Sequence, residues 1–215
     1  MDRVKDVLMA TRITLWLAML SFAGACGAQT SPDTALRQAA RTLATSVCER
    51  CHGAEGRSVD PAVPIIAAQP QPYVELQLKA FRHQSRDEPR AHEYMRGVSS
   101  KWLLNDQIVA GIAEYFSLQA PASGKPGDPA AMTKGKRLYE KGSFSPKIVP
   151  CSDCHGDNAQ GIAIFPRLAG QHAEYLMSRM QMLRETERDS RVMHSVIGDL
   201  SDTEIVAVAT YLQSK

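Results

Sequence analysis

Two short runs carry the side chains best suited to chemistry. Cys48-Glu-Arg-Cys51-His52-Gly53 recurs as Cys151-Ser-Asp-Cys154-His155-Gly156. Cysteines at i and i+3 stand on one side of a helical turn. That separation suits two thiols adding across the two vinyl groups of a haem. The histidine that follows can then place an imidazole nitrogen on the iron, so the motif is a template for covalent c-type haem with a proximal histidine. Paired cysteines serve two other chemistries. A thioredoxin-like redox pair sits near a βαβ pattern, which is not evident in this sequence. A zinc site built from two pairs commonly separates them by about 15–20 residues, whereas Cys51 and Cys151 are 100 apart. A histidine directly after both pairs favours haem. Cys48, Cys51, Cys151 and Cys154 are therefore the expected attachment points, and His52 and His155 the expected iron ligands.

A six-coordinate haem iron needs a second axial group, commonly Met or His. Between His52 and residue 120 the sequence holds one methionine, Met95, in a loop-like stretch between helical segments. The second half offers Met177, Met180, Met182 and Met193. The first three fall in a helical stretch, where methionine usually fills core space. Met193 follows that helix and corresponds in position to Met95, so Met95 and Met193 are the expected distal ligands. His92 and His194 are nearby competitors, but they do not occupy equivalent places and read as surface residues or as groups hydrogen-bonded near the ligands. His83 and His172 read as solvated. Pro64 lies 12 residues after His52, and Pro166 lies 11 after His155. Each proline carbonyl is placed to accept a hydrogen bond from the other ring nitrogen of its histidine, which would fix tautomer and ligand strength. Arg57, Lys101 and Arg167 could meet haem propionates, although single basic residues usually face water.

The positioning elements are also duplicated. Gln69 and Gln171 each follow their proline by five residues, and Tyr73 and Tyr175 come four later. Leu104 to Tyr115 and Leu200 to Tyr211 span equal lengths. The expected fold is all-α: a tandem duplication of one helical plan, with little sheet. Helix-forming composition predicts helices over 34–47 and 132–141, and apolar periodicity predicts them over 73–83 and 175–187. Further helices start near Asn105 and at the capping box Ser201-Asp-Thr-Glu204. Three prolines and two glycines between Gln119 and Pro129 read as a linker. The expected domains are 29–119 and 131–215, joined by 120–130.

The 215 residues are 44% hydrophobic and 22% charged, as in ordinary globular proteins, which excludes collagen-like, coiled-coil and disordered classes. The formal charge of +2 gives no global field for nucleic acid. Aromatics are only 6%, thin for two small cores, so a group other than an amino acid is expected to complete them. Arg3, Lys5 and Arg12 precede an uncharged run, Ile13 to Ala25, and then small residues. This is the order of a secretory signal peptide over 1–28, and the run is short for a membrane span. Cleavage after Ala28 removes Cys26, whereas cleavage after Ala25 leaves it as a possible lipid-attachment point. Either way the expected working compartment is outside the cytoplasm.

With these features the chain resembles the dihaem cytochrome c4 family. The resemblance rests on both Cys-x-x-Cys-His-Gly motifs and on Phe165-Pro166-Arg167-Leu168-Ala169-Gly170-Gln171-His172-x-Glu174-Tyr175-Leu176. The Met193 region followed by Leu200-Ser201-Asp202-x-Glu204-Ile205 adds to it. It covers nearly the whole mature chain and is stronger in the second half. It implies two tandem cytochrome c-like domains related by a pseudo-twofold axis, two covalently bound haem c groups with neighbouring edges, and one-electron transfer in the periplasm towards a partner such as a membrane oxidase or reductase complex. It also implies a transient maturation machinery and allows peripheral membrane association. No Gly-x-Ser-x-Gly or phosphate loop points to other catalysis. The competing readings are a dihaem peroxidase-like enzyme, a haem subunit of a dehydrogenase complex, and a haem-based gas sensor.

Overall fold

The computed structural model describes residues 32–215, apart from 87–88, 104, 145–146 and 187–189. The expected signal segment and Cys26 lie outside the described residues.

The first half opens with helix α1 (Pro32–Leu43), which runs through a π-helical turn (Ala44–Cys48) into the short helix α2 (Glu49–His52). It continues through α3 (Gln71–Arg82), α4 (Pro89–Trp102) and α5 (Asp106–Ser117). The second half repeats the plan with α6 (Pro129–Lys141), α7 (Ser152–His155), α8 (Ala173–Glu185), α9 (Arg191–Ile197) and α10 (Asp202–Gln213). It adds a two-residue antiparallel pairing of β1 (Ser143–Phe144) with β2 (Lys147–Ile148). The chain is a tandem pair of helical cytochrome c-like domains.

The duplication extends to individual contacts. Arg82 Nη1 donates to Leu103 O at 3.0 Å and meets Asp106 at 2.8 Å. Arg184 Nη1 donates to Leu200 O at 2.9 Å, and its other nitrogen meets Asp202 at 2.8 Å. Both arginines thereby tie the Tyr-led helix to the start of the last helix. Asn105 caps α5 by accepting from Gln107 N and Ile108 N. Ser201 N donates to the Glu204 carboxylate at 3.0 Å, as the capping-box spacing predicts.

In each half the first and last helices cross through small residues. A Cβ on Gly135 of α6 would lie 2.0 Å from Ala207 O of α10, and one on Gly111 of α5 would lie 2.6 Å from Ala40 Cβ of α1. Around these crossings lie two cores. One gathers Val74, Leu78, Val109, Ile112 and Phe116, and the other Tyr139, Leu176, Ile205, Val208 and Leu212.

Residues 120–128 are irregular, as their proline and glycine content dictates, but they are anchored. Lys125 N donates to Gln213 O at 2.9 Å, and Arg57 Nη1 donates to Ala120 O at 3.2 Å.

The halves also clasp each other directly. Gln69 bonds the backbone of Arg167, and Gln171 bonds the backbone of Ile65. His172 Nε2 lies 3.0 Å from Ser58 Oγ and 3.1 Å from Ser58 O. His172 is only 4% exposed, which corrects its reading as a solvated residue. Its partner lies 114 positions away in the chain, so the local sequence could not reveal the burial.

Candidate haem sites

Each Cys-x-x-Cys-His motif is delivered by a single helical turn. Burial at its histidine end and a glycine of positive φ at the exit, Gly53 (76°) and Gly156 (82°), turn the chain back over the site. The loop that follows ends at Pro64 or Pro166. His52 Nδ1–H donates to Pro64 O at 2.8 Å, and His155 Nδ1–H donates to Pro166 O at 2.9 Å. Both bonds agree with the spacing argument. They fix the tautomer and leave each Nε2 lone pair free to bind a metal. Burial pulls both imidazoles below their ordinary range, which keeps them neutral. His155 Nε2 is buried with no hydrogen-bond partner.

A cavity of about 1220 Å³ runs through both halves. Small-molecule pockets span about 300–1,000 Å³, so the space suits more than one ordinary ligand. Cys48, Cys51, His52 and Met95 line it, and so do Cys151, Cys154, His155 and Met193. Much of the remaining lining is aliphatic or aromatic: Val74, Leu78, Phe81 and Ile112 in the first half, and Phe165, Leu176, Ile197 and Leu212 in the second. Imidazole nitrogens, thioethers and paired thiols around an apolar slot are the donor set a covalent haem requires. The residues present fit two such groups.

The rival chemistries fit less well. Burial pushes the Cys48 thiol up to about 12 and the Cys151 thiol up to about 11. A redox-active pair needs the opposite shift. Among the described residues no three His, Cys, Asp or Glu side chains gather to hold a metal ion, as a zinc site would need.

Met95 differs from expectation in local structure: it sits within α4, not in a loop. Met193 lies between α8 and α10 as expected, within α9. Pro89 is the first residue of α4, a position that favours proline because its missing N–H needs no partner. Gly97 of α4 faces open space, so it interrupts no packing. Met180 also borders the cavity, but it belongs to the second core, as expected of a filler. His194 Nδ1 donates to Leu183 O at 3.0 Å and so braces α9 against α8. The side chain of His92 lies outside the described residues.

Of the three basic residues considered, Arg167 borders the cavity, where burial lowers its pKa. Arg57 is engaged with Glu55 and Ala120, and Lys101 lies over the Trp102 ring at 4.9 Å. Arg86 was not anticipated. It is buried in the cavity wall, donates to Gln77 at 2.8 Å and reaches Tyr175 of the other half at 3.1 Å. The signal was in the sequence: an Arg-Asp pair follows Tyr73 and Tyr175 at the same distance, as Arg86-Asp87 and Arg188-Asp189.

The cytochrome c family model matches residues 132–215. A cytochrome c4 of Pseudomonas aeruginosa is 34% identical over 181 residues, which is 81% of this chain and 87% of the relative. The solved cytochrome c4 of Acidithiobacillus ferrooxidans superposes with a TM-score of 0.73 at 32% identity, covering 79% of this chain and 99% of that one. A thiosulfate dehydrogenase structure from Marichromatium purpuratum gives a TM-score of 0.70 at 27% identity, covering 82% of this chain and 40% of that one. The duplicated Cys-x-x-Cys-His motifs, the shared apolar cavity and these relatives converge: the chain belongs to the cytochrome c4 family, dihaem c-type electron-transfer proteins carrying covalently bound haem c.

Proposed function

We propose that the chain is a periplasmic one-electron carrier in which Cys48 and Cys51 hold one haem and Cys151 and Cys154 the other. His52 and Met95 are the axial ligands of the first iron, and His155 and Met193 those of the second. The domains are 29–119 and 131–215, joined by 120–130, behind a signal segment over 1–28. The observation that carries this reading is the single cavity bordered by all eight of these residues. A bound haem supplies a one-electron centre. The chain's own groups determine how that centre behaves. Thioether sulfurs favour a comparatively high potential, the proline carbonyls set the strength of the histidine ligands, and an apolar lining restricts water.

The two attachment sites share one space, so an electron entering one half has a short path to the other. The partners in this reading are redox proteins: a donor and a membrane oxidase or reductase complex, with a maturation machinery acting earlier. Among the described residues no helix is long and apolar enough to cross a membrane. Any membrane association in this reading is peripheral.

The test is the ferric optical and EPR spectrum of the purified protein. Two low-spin His–Met centres are expected. A stoichiometric high-spin signal would favour the peroxidase-like enzyme, and two bis-histidine signals would remove Met95 and Met193. A second reading, a haem subunit serving a dehydrogenase, is supported by the likeness to part of the thiosulfate dehydrogenase structure. Reduction of this protein by such an enzyme with its substrate distinguishes it from a carrier that feeds only an oxidase.

A further inference from the structure

The two glutamines that clasp the halves end on unusual peptide groups. The peptide joining Pro64 to Ile65 accepts through its oxygen from His52 Nδ1–H at 2.8 Å. Through its nitrogen the same peptide donates to Gln171 Oε1, in the other half, at 2.9 Å. The peptide joining Pro166 to Arg167 accepts from His155 Nδ1–H at 2.9 Å and donates to Gln69 Oε1 at 3.0 Å. Each amide is fixed in orientation by its second arm. Gln171 Nε2 donates to Ile65 O at 2.9 Å, and Gln69 Nε2 donates to Arg167 O at 2.8 Å. Both glutamines are nearly inaccessible, at 5% and 4% exposure. One peptide plane therefore stands between each iron-binding histidine and a side chain of the opposite half, and the arrangement occurs twice with the halves exchanged.

We infer that Gln69 and Gln171 are positioning residues that set the ligand strength of the opposite half's histidine, so that each domain tunes the potential of the other's haem. The inference rests on the proposed ligation by His52 and His155. Successive hydrogen bonds polarise one another in a buried setting. When Gln171 accepts from the Ile65 N–H, the Pro64 oxygen becomes a stronger acceptor. The His52 imidazole then gains anionic character and binds ferric iron better, which lowers the potential. The relay needs the domain contact, so the potentials report on whether the halves are docked.

The test is a redox titration followed by paramagnetic NMR, which separates the resonances of the two haems. Gln171→Leu is expected to shift the ferrous-to-ferric ratio of the first haem about threefold towards ferrous, about 28 mV at 59 mV per tenfold. The second haem stays unmoved. Gln69→Leu is expected to give the mirror result. Gln171→Glu, studied where its carboxylate is ionised, keeps the side-chain shape and is expected to move the first haem in the opposite direction. Loss of packing alone has no such sign reversal. No shift at either haem, a shift of both haems together, or a shift confined to the mutated half would overturn the inference. Unsubstituted protein lacking histidine-ligated haem would overturn the ligation reading instead.

Discussion

Removing both haems should abolish the fold rather than weaken it. The cavity they would fill measures about 1220 Å³. Cavities sealed in protein cores cost about 24 cal/mol per Å³, so about 29 kcal/mol is the ceiling for a space of this size, and water entering its open side offsets part of it. Domains are typically stable by only about 5–15 kcal/mol. Even if half the space closed by collapse, little or nothing would remain. The perturbation is Cys→Ala at Cys48, Cys51, Cys151 and Cys154, with the purified chain shown to be haem-free by its visible absorption. The assay is far-UV circular dichroism with a urea titration. The haem-free chain is expected to show reduced helix and no cooperative transition. Native helix content with a sharp urea midpoint would refute the reasoning, because it would mean that side chains alone complete these cores.

Other outcomes follow from particular contacts. Met95→Ala or Met193→Ala is expected to turn one of the two ferric centres high-spin and lower its potential, read by EPR and redox titration. Gly135→Ala places a methyl against Ala207 O and should cost about 1–3 kcal/mol by overpacking, seen as a lower thermal midpoint. Gly97→Ala meets nothing within 4 Å and should be neutral or stabilising by up to about 1 kcal/mol. His172 is held below its ordinary value of 6.5, chiefly by burial, with the Ser58 bond, Asp60 and Glu174 opposing the shift and Lys125 adding to it. Its contribution to stability is thus complete above pH 6.5 and lost as the pH falls through its lowered folded value. A scan of thermal midpoint against pH should show this loss, and His172→Gln should flatten it.

What the sequence disclosed was whatever repeats locally. The Cys-x-x-Cys-His runs, the prolines 11 and 12 residues beyond, and the paired tyrosines are short-range patterns that carry their own geometry. The caps at Asn105 and Ser201 are equally local. Contacts between the halves were hidden because their partners lie about 100 residues apart. Gln69 and Gln171 stood out by equal spacing, yet nothing in the sequence said that each crosses to the other half's proline loop. His172 was missed for the same reason. The helix around Met95 contains Pro89 and Gly97, poor helix formers in general, yet Pro89 starts it and Gly97 faces open space.

Intact-mass spectrometry of the exported protein tests the central claim most directly. The chain should weigh its processed polypeptide plus two haem groups, and the added mass should persist under denaturing conditions. It should fall to one haem in a Cys151→Ala/Cys154→Ala variant. A polypeptide mass with no added haem would contradict the account.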